Sequence, residues 1–338
     1  MIKMSKNEIT RVCIFTSVYS LLIYLLYSND DELKKTFYFF TSGVTKSIRE
    51  KFPGHFFINI INSKRKKKSY TIIKSIYLFF FIYLFRYLRW PFLRKADIFC
   101  NDHNLIPPFI IGKKEYAFIE EEPKILSIKR EANSRFVKGL SQKILCNLIS
   151  DVVGKPFANN KQCKSLVLTE DDDVPYIMDK KKYIMNLHRA WDKASERKRK
   201  YILNIYNIYT DDINILEAKT HILLVQPLST DGTISEDEQI SIYRQIIEKY
   251  DPSSLLIKSH PRDLIDYRKY FPNICIFDKP IPMQLLILIS HNNFIKAITL
   301  FSSAIKFFPD TVEKEWIGSS VHPALFMLYP NMVHNIYK

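Results

Sequence analysis

Between His221 and Asp263 a strand, a turn, a capped helix and a second strand follow one another, and no other run constrains the fold as much. Ile222-Leu223-Leu224-Val225 is apolar and stops at Gln226-Pro227. It is too short for a helix and reads as a buried strand. Ser229-Thr230-Asp231-Gly232 supplies turn chemistry. Ser235 with Glu238 is a capping box, and Ile240, Tyr243, Ile246, Ile247 and Tyr250 recur at helical spacing until Asp251-Pro252. Leu255-Leu256-Ile257 is a second buried strand running into Lys258-Ser259-His260-Pro261-Arg262. Strand, helix, strand of this length is a right-handed βαβ unit with parallel strands.

In such a unit the loops after the strand carboxyl ends share one edge of the sheet, where ligands bind. One loop brings Asp231 and Gly232 to a helix entry, and the other brings a lysine, a histidine and an arginine. A carboxylate and an imidazole on one edge can act as general base and general acid. Read alone, Asp231 is also an ordinary turn residue and His260 an ordinary loop residue.

The remainder of the chain repeats this grammar. Strands are expected at 12–15, 56–61, 96–100, 116–119, 165–169, 274–277 and 294–300, and short helices at 264–270 and 283–289. The stretch from Lys180 to Tyr209 reads as helical and as a connection, with a boundary near 211–220. Two domains result, 1–215 and 216–338, and a chain of 338 residues has room for both. Glu120-Glu121-Glu122-Pro123 and Glu170-Asp171-Asp172-Asp173 each follow an expected strand. The second cluster lacks the glycine and spacing of a calcium loop, and no metal site is expected. Phe301-Ser302-Ser303-Ala304 sets two hydroxyls at a strand end and helix start, which suits either a phosphate or simple capping. His322-Pro323 has no strand before it and reads as structural.

Two stretches raise the question of membranes. Lys3, Lys6 and Arg11 precede an apolar run over 12–28, which fits a membrane anchor or, as a Rossmann-like domain commonly begins, a strand, turn and helix; we favour the latter. The basic run Lys64 to Lys68 precedes an apolar, aromatic segment over 72–93. Its central ten residues are too few to span ~30 Å of hydrocarbon, so it is either a buried helix or one docked on a membrane surface. The formal net charge of +15 fits an acidic partner, as it does ordinary solubilising surface. No recognisable nucleic-acid motif is interleaved with the basic residues, so nucleic acid is not an expected partner. The 5 cysteines lack redox or metal spacing, which favours a reducing compartment.

QPLSTDG, IYRQIIEKY, IKSHPRD, KPIPMQLL and FSSA, in that order, resemble the bacterial glycosyltransferases of family fifty-two, which include lipooligosaccharide α-2,3-sialyltransferases. The separation of His260 from Ser302 also fits the family pattern. The resemblance implies a GT-B fold, α/β with two Rossmann-like domains and an active site in the cleft between them. It implies inverting, metal-independent transfer of sialic acid from CMP-sialic acid, as donor substrate rather than cofactor, to a galactose hydroxyl of lipooligosaccharide or capsule. His260 would protonate the departing phosphate, and Ser302 and Ser303 would hold it. Lys258 and Arg262 would add positive potential. Gln226, Gly232, Pro261, Pro282 and Gln284 would complete the nucleotide site. Asp231 would be the base, with Glu121 as its rival, because the acidic-acidic-glycine pattern of bacterial sialyltransferases is split here. Thr230-Asp231-Gly232 keeps the glycine, and Glu120-Glu121-Glu122-Pro123 keeps the acids. Gln284 stands where relatives often carry glutamate. The alternatives are another sugar nucleotide, as in the glucosyltransferases of the family, or a non-catalytic nucleotide or glycan binder. A homodimer is also suggested, with a cytoplasmic location on the inner face of a bacterial membrane.

Overall fold

A computed structural model describes residues 8–58, 79–104, 106–128, 144, 146–291 and 293–330. The chain forms two compact units, Met1–Ile205 and Tyr206–Lys338. The Thr210–Glu217 helix therefore belongs entirely to the second unit.

Among the described residues the first unit is built on seven parallel strands: β1 (Arg11–Phe15), β2 (Thr36–Phe40), β3 (His55–Phe57), β4 (Asp97–Cys100), β5 (Tyr116–Ile119), β6 (Cys163–Leu168) and β7 (Lys181–Ile184). Their order is β3-β2-β1-β4-β5-β6-β7. The stretch over 12–28 is a strand, a turn and a helix. Ser17 caps the Val18–Tyr27 helix by accepting the Ser20 N–H at 3.2 Å. Residues 19 to 26 of that helix are all buried, so its all-round apolarity is that of a core helix. Among the described residues no helix is long and apolar enough to cross a membrane. The basic run 64–68 and the start of the 72–93 segment lie outside the described residues.

Among the described residues the second unit has five parallel strands: β8 (His221–Leu224), β9 (Leu255–Lys258), β10 (Cys275–Phe277), β11 (Lys296–Thr299) and β12 (Glu313–Trp316), in the order β10-β9-β8-β11-β12. β8 and β9 pair in parallel, with Leu223 opposite Ile257, as the βαβ reading requires. The Glu236–Ile247 helix between them lays Ile240, Tyr243, Ile246 and Ile247 into the same core as Leu223, Leu255, Ile257 and Ile298. Each such side chain contributes about 1.5–3 kcal/mol when fully buried. Both sheets start in the middle, grow one way, then resume on the other side of the first strand. That reversal puts a switch crevice at the carboxyl ends of β1 and β4 and another at β8 and β11.

Three strands escape the sequence reading. β7 lies inside the expected helical connection, which the structure resolves into that strand and the helices Leu187–Lys193 and Glu196–Ile205. β7 and β12 are edge strands, KKYI and EKEW, whose charged residues hide the apolar signal. β2, TFYFF, carries a plain strand signal of β-branched and aromatic residues that the reading passed over. The short helix expected over 264–270 is instead a loop and one 3-10 turn, Tyr267–Lys269. The carboxylates of Asp263 and Asp266 accept the Ile265 and Arg268 N–H groups at 3.2 and 3.4 Å, so side-chain bonds replace helical ones there.

Candidate active site

In the second unit the loop after β8 is wound tightly. Asp231 N–H donates to the Pro227 carbonyl at 2.8 Å, and Gly232 N–H to that of Ser229 at 2.9 Å. Gly232 has φ +75, and a Cβ there would meet nothing within 4 Å, so backbone conformation rather than crowding selects glycine. Ser235 then closes its capping box with Glu238 and starts the helix. Arg262, from the loop after β9, donates to both Asp231 carboxylate oxygens at 2.8 and 3.2 Å. The Arg262 and Asp231 side chains are 64% and 42% exposed, so the pair contributes about 0–1 kcal/mol and a ligand can open it.

His260 accepts the Arg262 backbone N–H on Nδ1 at 3.1 Å. The neutral ring therefore carries its proton on Nε2. Burial, and then the cations Arg262 and Lys258, hold its pKa below the ordinary 6.5. Lys258 is almost fully buried, and burial lowers its pKa to about 8. Its ammonium donates to the carbonyls of Ser259 at 2.7 Å and Lys279 at 3.1 Å, which tie the loops after β9 and β10. Pro261 is exposed beside His260.

Two residues that the sequence reading did not single out join these loops. Gln239 is fully buried; its Oε1 accepts the Ser229 N–H at 2.7 Å, and its Nε2 donates to the Gln226 carbonyl at 2.9 Å and to Tyr267 Oη at 2.6 Å. Asp263 accepts from Tyr267 Oη at 2.7 Å, Gln239 Nε2 at 3.3 Å and Thr230 Oγ1 at 3.4 Å. A signal existed for Gln239, a polar residue in register with Tyr243 and Ile246 on an otherwise apolar helix face.

On the other side of β8, Gln226 Oε1 accepts the Phe301 N–H at 3.2 Å and so bridges the switch crevice. Thr299 Oγ1 donates to the Leu224 carbonyl at 3.1 Å and accepts the Ser302 N–H at 3.2 Å. Ser302 Oγ caps the Ser303–Phe307 turn by accepting the Ala304 N–H at 3.3 Å, while Ser303 is exposed. Pro282 precedes the Met283–Ile289 helix, and Gln284 is half-buried in its first turn, after β10. Strand order thus places the loops bearing Pro282, His260, Asp231 and Ser302 along one carboxyl edge.

Glu121 belongs to the first unit, at the carboxyl end of β5. Its Oε2 pairs with His103 Nε2 at 2.6 Å and its Oε1 accepts from Thr16 Oγ1 at 3.1 Å. His103 stacks on Phe157, centroids 5.2 Å apart. Asn101 Nδ2 donates to Ser20 Oγ at 2.8 Å and to the Ile119 carbonyl at 2.6 Å. Neighbouring Glu120 is wholly buried and accepts from Tyr19 Oη at 2.7 Å and from Thr169 Oγ1. Burial pushes its pKa up to about 7. The acidic cluster after β6 has local duties. Glu170 pairs with Lys124 at 3.3 Å, Asp171 with Lys182 at 2.8 Å, and Asp172 accepts the Leu126 and Ser127 N–H groups at 2.9 and 3.1 Å. His322 caps the Pro323–Leu328 helix through Nδ1, 3.2 Å from the Ala324 nitrogen.

Comparison with known proteins adds a family. The profile of glycosyltransferase family 52 matches residues 132–324. An uncharacterized protein of Haemophilus influenzae is 35% identical over 176 residues, 52% of this chain and 57% of that protein. The match therefore spans little more than half of that relative's length. Among solved structures, an alpha/beta-galactoside alpha-2,3-sialyltransferase from Photobacterium phosphoreum aligns over 96% of each chain, with TM-score 0.52 and 13% identity. A 2,6-sialyltransferase from another Photobacterium, solved with CMP and lactose, aligns over 96% of this chain and 76% of its own, with TM-score 0.56 and 11% identity. The GT-B domain of a Photobacterium damselae sialyltransferase aligns over 96% of this chain and 97% of its own, with TM-score 0.54 and 13% identity. At these identities the structural likeness speaks for the GT-B fold alone.

Proposed function

From the premise that this chain belongs to glycosyltransferase family 52, we propose that it is an inverting sialyltransferase that needs no metal. The donor is CMP-sialic acid, and the acceptor is a galactose hydroxyl of a surface glycan, lipooligosaccharide or capsule. In this reading the acceptor oxygen attacks the anomeric carbon as the bond to the CMP phosphate breaks. Asp231 takes the hydroxyl proton. An approaching anionic phosphate raises the basicity of His260, which takes up a second proton from solvent on Nδ1 and gives up the Arg262 N–H bond; the resulting imidazolium passes its Nε2 proton to the leaving phosphate oxygen and returns to the neutral ring. Ser302, Ser303 and the N–H groups of the turn they open receive the remaining phosphate charge. Arg262 moves from Asp231 to the phosphate, leaving the carboxylate free to accept the proton. Gln226, Gly232, Pro261, Pro282 and Gln284 shape the nucleotide pocket. Lys258 acts through the loop carbonyls it ties and through its charge.

The observation that carries this reading is the Arg262–Asp231 pair, which joins a carboxylate loop to the histidine loop at the sheet's ligand-binding edge. Replacing His260 by alanine tests it. Loss of transfer by about 10²–10⁴-fold with an intact fold supports the role, and full activity contradicts it.

A second reading makes Glu121 the base, and one observation favours it. Glu121 is held by His103 and Thr16 at the switch edge of the first sheet, so it too is an oriented carboxylate. The donor sugar is tested by offering other sugar nucleotides, and tight CMP binding without turnover of any donor would identify a non-catalytic relative.

We also place the protein in the cytoplasm, against the inner face of the membrane that carries its acceptor. Phe81, Leu84, Phe85 and Leu88 are 54%, 48%, 52% and 78% exposed, and exposed apolar side chains close in sequence to Arg89 suit a lipid surface. Flotation with anionic vesicles, lost on Phe85→Ser with Leu88→Ser, tests this placement.

A further inference from the structure

The first unit contains a cavity of about 450 Å³ at the opposite edge of its sheet from Glu121. Glu8 lies just before β1, Thr36 opens β2, and Phe52 lies just before β3, so these lining residues gather at strand amino ends. Ligands of parallel sheets meet the carboxyl ends, where Thr16, His103 and Glu121 lie. The cavity is therefore a separate feature from the candidate active site. Its size suits a small organic ligand, for which pockets run to about 300–1,000 Å³.

The walls are amphipathic. Leu33, Tyr38, Phe52 and Tyr201 supply apolar and aromatic surface. Tyr38 and Phe52 already pack ring to ring, with centroids 4.3 Å apart. Tyr38 is 2% exposed. Thr36, two residues earlier on the same strand, is engaged with Tyr24 Oη at 2.7 Å and the Glu32 carbonyl at 2.7 Å.

The charged lining is predominantly basic. Lys34, Lys51, Arg197 and Lys198 face Glu8 and Asp30. Lys198 is taken by the carbonyls at the end of the Val18–Tyr27 helix, Leu26 at 3.1 Å and Ser28 at 2.5 Å. Lys34 pairs with Asp31 at 3.0 Å. Among the described residues Lys51 makes a long bond, 3.4 Å, to Asn204 Oδ1, and Arg197 is exposed. Those two cations can turn to an anion without breaking a strong internal contact.

We propose that this cavity binds an amphipathic anion. A ring or alkyl chain packs on Tyr38, Phe52, Tyr201 and Leu33, and a phosphate or carboxylate is held by Lys51 and Arg197. An aromatic metabolite and a lipid phosphate share this chemistry. Titration calorimetry of the full chain with phenyl phosphate, dodecyl phosphate and inorganic phosphate separates them. The expected result is that at least one organic phosphate binds ten-fold or more tightly than inorganic phosphate, the tighter of the two naming the source. Lys51→Glu with Arg197→Glu, both at the cavity rim, should weaken that binding ten-fold or more without lowering Tm. His260→Ala should leave it unchanged, which keeps the result independent of the proposed transfer reaction. Binding no tighter than that of inorganic phosphate, or binding indifferent to the charge reversal, overturns the proposal.

Discussion

Arg262 grips both carboxylate oxygens of Asp231, at 2.8 and 3.2 Å, from the neighbouring loop of the second sheet. The contact makes the Asp231 carboxylate a listener to whatever occupies the loop after β9. If Asp231 is the base, an arginine that can choose between a carboxylate and a phosphate would link donor binding to release of that base.

Asp231→Asn and Glu121→Gln separate the two readings of the base. If Asp231 is the base, its variant loses about 10²–10⁴-fold in kcat with an acceptor present, while Glu121→Gln changes rate far less. The reverse ranking assigns the proton transfer to the Glu121–His103 pair. Steady-state kinetics on both purified variants decides it.

Gly232→Ala should lower stability by about 1 kcal/mol or more. Open space surrounds the missing Cβ, so the whole effect comes from forcing an L-residue to φ +75. Denaturant unfolding measures it, and Gly232→Asn, which tolerates this region better, should recover part of the loss.

Gln239→Leu removes hydrogen bonds to the loops after β8 and β9 while keeping the helix apolar. It leaves the Ser229 N–H and the Gln226 carbonyl without these partners. The expected loss is about 1–3 kcal/mol, with KM for the donor raised because the loops after β8 and β9 are no longer held together. Unchanged stability and KM would show that Gln239 is not the tie described.

Two pH effects follow from burial, with opposite signs. Glu120 has its folded pKa raised from 4.5 to about 7, so the folded state holds the extra proton and stability falls as pH rises between those values. Glu120→Gln should flatten that slope. His260 has its folded pKa lowered below 6.5, so its contribution is present above 6.5 and is lost as pH falls through the folded value. His260→Asn should remove that acid-side loss. Unfolding midpoints across pH, with each variant beside the parent, read both.

The second unit was legible because its chemistry is local. Asp231, Gly232 and the capping box lie within a few residues of one another, and the βαβ rule then places His260 beside them. Ser302 could be set on the same edge because a strand visibly precedes it. The Glu121–His103 pair was not legible. Its partners come from loops after different strands, and nothing in either loop names the other. Gln239 was lost for another reason: a glutamine in a helix reads as surface unless its face is traced against Tyr243 and Ile246. Edge strands β7 and β12 carry charges where interior strands carry valine or isoleucine, so their pattern resembles that of loops and helices.

The most direct test of the account is CMP release from CMP-sialic acid by the purified protein, with and without a galactose-terminated acceptor. The account predicts release that the acceptor stimulates and that His260→Ala abolishes while CMP-independent stability is kept. Binding of CMP with no release, or release that survives loss of His260 unchanged, would contradict it.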